Sequence, residues 1–93
     1  MEAEIRRIVD NVPQGCIFDS HFVITELIKG YSDEYLAFAS GFANGNQQVT
    51  LAAHGQIGQE INKLNGTIID WIGEAWSENI HKRPSQCTCW RKR

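Results

Sequence analysis

LAAHGQIGQEINKLNG, Leu51–Gly66, runs directly into TIIDWIGEAWSENIHKRPSQCTCW, Thr67–Trp90, and the spacing of the apolar residues changes at the join. Before it, Ala53, Ile57, Ile61 and Leu64 recur at i, i+4, i+8 and i+11, which predicts a helix from Thr50 to Leu64 with one buried face, closed by Asn65-Gly66 in a left-handed cap. Its outward face carries Gln56, Gln59, Glu60 and Lys63. Gly55 and Gly58 each weaken such a helix by about 1 kcal/mol relative to alanine, so they point to close approach of another backbone, or, for Gly55, to a helix that starts late near His54. After Gly66 the segments TIIDWI, AWSENI and QCTCWR are rich in β-branched and aromatic residues. Gly73-Glu74 and HKRPS separate them, and together they read as a small antiparallel meander with Pro84 at a turn.

Upstream the chain reads as helices. Ile5, Ile8, Val9 and Val12 form an i, i+3, i+4, i+7 stripe stopped by Pro13 and Gly15, suited to core packing or to a dimer contact. Asp19 is a good N-cap for a helix through Lys29 that buries Val23, Ile24, Leu27 and Ile28, with Phe18 stapling onto Val23. Gly30 ends that helix. Ser32 is positioned to cap a third, with Tyr31 and Leu36 as its staple pair, Asp33 and Glu34 in the anion-favouring first turn, and Tyr35, Leu36, Phe38, Ala39 and Phe42 as core candidates. GFANGNQQ, 41–48, reads as a turn or loop. The fold class is therefore α+β, a helical N-terminal two-thirds followed by a small β-hairpin or meander. Its segments are an amphipathic helix over 1–12, a helical part over 18–64, a hairpin or wing over 66–91 and a basic tail over 91–93.

The chain has 93 residues, 42% of them hydrophobic, which fits one domain burying about 60–65% of its unfolded surface. The charged opening MEAEIRRIVDNV is unlike a secretory signal, and clusters such as LAFA and VTLAA are too short to span a bilayer, so a cytoplasmic protein without membrane contact is expected. Cys16, Cys87 and Cys89 then read as reduced thiols. The formal net charge of −2 conceals a polarity: residues 1–81 hold all eleven carboxylates against Arg6, Arg7, Lys29 and Lys63, while residues 82–93 hold five basic residues and none. An acidic body with a basic end suits a patch that meets polyanions, or a basic end that pairs with its own body.

Helices followed by a hairpin, the last helix polar outside and the hairpin loop basic, is an order that resembles the recognition helix and wing of winged-helix DNA-binding domains, over roughly residues 18–91. The resemblance rests on LAAHGQIGQEINKLNG and IIDWIGEAWSENIHKRPSQCTCW. It implies that the helix enters the major groove, with Gln56, Gln59 and Asn62 offering amides to adenine edges and Lys63 reaching phosphate. It also puts His81, Lys82 and Arg83 at a wing tip for backbone or minor-groove contact, with Arg91, Lys92 and Arg93 at the basic exit. The helix departs from a strong DNA reader in holding one basic residue and Glu60 on the same face. Five C-terminal cations engage about three to five phosphates, enough for weak, salt-sensitive binding that a homodimer would strengthen.

Other chemistries are less well supplied. On a strand, Cys87 and Cys89 share a face and could clip zinc with His81, Cys16 or His54, yet no second tight cysteine pair exists, and packed thiols account for them without a metal. Trp90 falls on the opposite face and suits packing better than base stacking. Cys16 with His21 or His54 and Asp19 matches no nucleophile signature, and GQIGQE lacks the lysine of a phosphate loop. No cofactor is expected. The function read from the sequence is a small non-enzymatic accessory or regulatory protein that binds nucleic acid, most readily DNA. The alternative is a winged-helix-like protein-protein interaction module with a protein partner and no nucleic-acid binding.

Overall fold

Asp19 ends the first strand and caps the next helix, and that double use sets the architecture. Its carboxylate accepts the Phe22 N–H at 2.8 Å, so the chain leaves an extended segment, Ile17–Asp19 (β1), and turns directly into Ser20–Gly30 (α2). The computed structural model describes residues 1–43, 45 and 48–93, in the order Glu2–Asp10 (α1), β1, α2, Ser32–Ser40 (α3), Val49–Asn62 (α4), Ile69–Glu78 (β2) and Pro84–Lys92 (β3). The fold is α+β, with the three strands forming an antiparallel sheet in the order β1-β3-β2. Both neighbours of β3 are thus taken, and β2 is an edge strand. Residues 41–43 form the turn expected after α3; Asn44, Asn46 and Gln47, also expected in that loop, lie outside the described residues.

One apolar cluster joins the elements. Ile5, Ile8, Val9 and Val12 from the α1 segment meet Val23, Ile24 and Leu27 of α2, Tyr35 and Ala39 of α3, Ala53, Ile57 and Ile61 of α4, and Phe18, Ile69 and Trp90 of the sheet. Phe18, Trp90 and Trp71 stand in register across the three strands, and the rings of Phe18 and Trp90 stack at 5.7 Å. Trp90 therefore packs, as its sequence position implies.

Several expectations change. The α1 stripe is buried inside this cluster, so it is not free to act as a dimer contact. The third strand is β1, three residues long, rather than a third downstream segment, while TIIDWI and AWSENI lie on one strand that passes Gly73 with a register shift between Trp71 and Gly73. Such a bulge lets one strand absorb a glycine that reads in sequence as a break. Ser32 makes no capping hydrogen bond, and Leu36 is solvent-exposed rather than core. The left-handed residue at Gly66, φ +85°, falls in the turn after α4, where its N–H reaches Ile69 O at 2.8 Å. Nor does another backbone crowd Gly55 or Gly58: a Cβ at either would meet nothing within 4 Å.

Candidate binding groove and hairpin tip

The open space beside Gly55 and Gly58 belongs to a groove of about 960 Å³ between α4 and the β2-β3 hairpin, with the start of α2 at its base. Thr50, Leu51, His54, Gln59 and Asn62 line it from α4, Gln86, Thr88 and Trp90 from β3, and Trp71 from β2. Asn79 and His81 close it at the hairpin turn. None of the lining residues among those described is Asp, Glu, Lys or Arg, although the chain holds eleven carboxylates. The surface offered is one of amides, hydroxyls, imidazoles and indole.

The hairpin turn is ordered by one side chain. Asn79 Oδ1 accepts the N–H groups of His81 at 2.9 Å and Arg83 at 3.2 Å, while Lys82 takes up φ +63°, a left-handed conformation costly for a side chain with a Cβ. His81, Lys82 and Arg83 are all exposed there. Lys82 approaches Glu78 at 3.8 Å, and Arg83 has no ion-pair partner among the described residues.

The residues singled out from sequence divide into three places. Gln59, Asn62 and His81 line the groove, whereas Lys82 and Arg83, the next two residues of the hairpin turn, are exposed and do not line it, Lys82 bordering a separate cavity with Thr25, Ile28 and Lys29. Gln56 and Lys63 are instead occupied on α4: Gln56 donates to Glu60 at 3.1 Å, and Lys63 pairs with Glu60 at 2.9 Å and with Glu2 at 3.5 Å. These contacts hold the Glu60 carboxyl below its ordinary range, chiefly through the Lys63 hydrogen bond, and raise the Lys63 ammonium correspondingly. The basic exit lies at the far end of β3, about 26 Å of extended chain from Arg83. There Lys92 donates to the carbonyls of Asp10 at 3.1 Å and Val12 at 3.0 Å, closing the C-terminus of α1. Arg93 holds Asp70 through Nη2 at 2.7 Å and Nε at 3.0 Å, which lowers the Asp70 pKa and raises its own. Arg91 is exposed without an ion pair among the described residues.

Two further networks border the groove. Tyr35 Oη and His54 Nε2 lie 2.7 Å apart; burial raises the Tyr35 phenol and lowers the His54 imidazole, with His81 and His21 adding to the second shift. Burial therefore favours the neutral His54 imidazole beside the Tyr35 hydroxyl. Below it, His21 bridges Ser77 and Ser85, and Ser77 reaches Cys87 Sγ at 3.4 Å. The cation ligands imagined for Cys87 from sequence, His81, Cys16 and His54, are not those that gather; Asp19 and His21 are. Sequence spacing could not reveal this, because it depends on β1 pairing with β3. No protein-family model, curated protein or solved structure matches the chain, and among the described residues no helix is long and apolar enough to cross a membrane.

Proposed function

We propose that this is a small non-enzymatic nucleic-acid-binding protein of accessory or regulatory type, winged-helix-like, which uses the α4-hairpin groove and the hairpin tip as its contact face. The observation that carries this reading is the groove without a carboxylate in a chain of net negative charge. A polyanion entering it meets no carboxylate among the lining residues, Asp19 lying behind His21 and Cys87 at its base. Gln59 supplies an amide of the kind that pairs with adenine edges, Gly55 and Gly58 leave the α4 backbone approachable, and Arg83, exposed in the hairpin turn two residues beyond His81, offers a guanidinium to phosphate. With the basic exit largely engaged by the body, the number of phosphates neutralised is small and binding is weak and salt-sensitive.

Fluorescence anisotropy with random duplex DNA, single-stranded DNA and RNA at two salt concentrations tests this, with heparin and albumin as controls. Gln59→Glu puts a carboxylate into the groove and is expected to weaken nucleic-acid binding by about tenfold or more. Equal binding of heparin and nucleic acids, unaffected by Gln59→Glu, would leave only a basic tip. A second reading has its own observation: Trp71, Ile72 and Trp76 are 56%, 43% and 71% exposed along β2. Apolar surface of that kind suits a protein partner, and this reading gains if no nucleic acid binds.

A further inference from the structure

We propose that Asp19, His21, Cys87 and Cys89 form a binding site for a thiophilic divalent cation of the zinc type, at the junction of β1, α2 and β3. Ligand atoms of Asp19, His21 and Cys87 already lie within 4.8 Å of one another. Cys89, whose sulfur is not within that distance of all three, is brought beside them by the sheet: it is the direct cross-strand partner of Asp19, and residues so paired project from the same face with Cβ atoms about 4.5–5.5 Å apart. Cys87 lies two residues from Cys89 on β3 and so shares that face, and His21 follows Asp19 onto the first turn of α2. Two thiols, an imidazole and a carboxylate make a four-ligand set that selects zinc-like ions over magnesium or calcium.

The surroundings match what such a site requires. In a tetrahedral zinc site the ligand atoms stand about 3.3–3.8 Å apart, so the trio needs to close by about 1 Å. Asp19 Oδ1 is fixed by the Phe22 N–H at 2.8 Å, which leaves Oδ2 for a cation. His21 Nδ1 faces Ser77, which in turn touches Cys87, while Nε2 lies 3.2 Å from Ser85 Oγ. On binding, Nδ1 exchanges Ser77 for the metal, and Nε2–H keeps Ser85 as the outer hydrogen bond that orients the ring. Each thiol gives its proton to solvent as it becomes a thiolate ligand, so affinity rises with pH. Cys87 is buried, with 8% of its surface exposed, and both it and His21 border the groove through which an ion enters. The inference does not depend on nucleic-acid binding.

The test titrates the full reduced chain with Co²⁺ alone, without oxygen. A thiolate-to-cobalt charge-transfer band with strong visible d–d bands is expected, saturating at one ion per chain and bleached by Zn²⁺. Cys87→Ser with Cys89→Ser should abolish the bands, His21→Gln should weaken binding, and Ser85→Ala should cost about 10–100-fold in affinity through the outer hydrogen bond. Cys16→Ser should change nothing. Asp19→Asn keeps a good N-cap, so it stays folded while losing a ligand, and decides the matter if the double cysteine variant does not fold. The site is overturned by absent bands at stoichiometric cobalt, by bands that survive loss of both cysteines or vanish with Cys16→Ser, or by unchanged affinity in Asp19→Asn.

Discussion

The indole Nε1–H of Trp90 donates to Asn62 Oδ1 across 3.2 Å, tying the middle strand of the sheet to the last residue of α4. Asn62 is thereby a structural residue as well as a groove residue. Asn62→Ala leaves the indole N–H without its partner and is expected to cost about 1–2 kcal/mol in urea denaturation. Trp90→Ala removes the largest fully buried side chain and should cost about 3–5 kcal/mol. A neutral Asn62→Ala would show that water replaces the amide and that the two elements are held by packing alone.

Deleting residues 1–12 should abolish cooperative unfolding. Ile5, Ile8, Val9 and Val12 are 1%, 7%, 0% and 6% exposed, so the truncation opens the core rather than freeing an interface. Calorimetry on the truncated chain gives the answer, and a sharp transition with native mass unchanged would place α1 outside the folding unit.

The amphipathic stripes of α1 and α4 and the Asp19 cap were legible because they depend on neighbours a few residues away. What the sequence concealed depends on distant pairing. β1 is too short to show any alternation, and its partners Cys89, Trp90 and Arg91 lie 70 to 74 residues downstream. Phe18 and Asp19 were recognisable as staple and cap, and the same residues are also strand; nothing local distinguishes the two uses. The groove was partly foreshadowed by Gln59, Asn62 and His81, whereas the roles of Gly55 and Gly58 ran opposite to expectation, since a glycine facing open space and one facing a crowded backbone look identical in sequence. Lys92 and Arg93 counted as free cations only until the fold brought the α1 carbonyls and Asp70 to them.

Gly55→Ala and Gly58→Ala separate stability from binding. Each should raise stability by about 1 kcal/mol, because alanine is the better helix former and its Cβ meets no atom within 4 Å. The same methyl groups narrow the groove, so nucleic-acid affinity should fall while the melting temperature rises. Unchanged affinity in both variants would move the contact face away from α4.

Stability should decline as pH falls below about 6.5, the unfolded histidine value, because burial holds the folded His54 pKa lower. The sign follows from the unfolded chain binding the proton more tightly: the contribution is complete above the unfolded pKa and is lost as pH descends toward the folded one. The carboxylates whose pKa values are lowered, Glu4, Glu60 and Asp70, titrate below this window. Denaturation at pH 7.5 and 5.5 should show the loss in the parent and a flatter profile in His54→Gln, whose amide can still hydrogen-bond with Tyr35 in either direction. Equal slopes in the two proteins would show that His54 is not the group responsible.

Charge at the hairpin tip should matter more than charge at the chain end. Arg83→Glu is expected to weaken polyanion binding and to reduce the salt slope by about one phosphate equivalent, whereas Arg91→Glu changes it less. Matching slopes for the two variants would mean that both ends of β3 engage the same polyanion.

The edge position of β2 has a consequence for self-association. Asn65 and Gly66 already cover its start, at the Trp71 N–H and the Ile69 carbonyl, but beyond them its outer edge is a template onto which a second chain could hydrogen-bond, and Ile72 and Trp76 make that stretch attractive to such a copy. Asp70, Glu74 and Glu78 recur every fourth residue along it, all exposed, but Asp70 holds Arg93 and Glu78 lies near Lys82, so Glu74 is the one of the three without an ion pair among the described residues. A lone carboxylate on an edge strand disfavours the stacking of copies, which would bring like charges together. Neutralising Glu74, by acid or by substitution, should therefore raise the tendency of the strand that walls the groove to pair with a copy of itself.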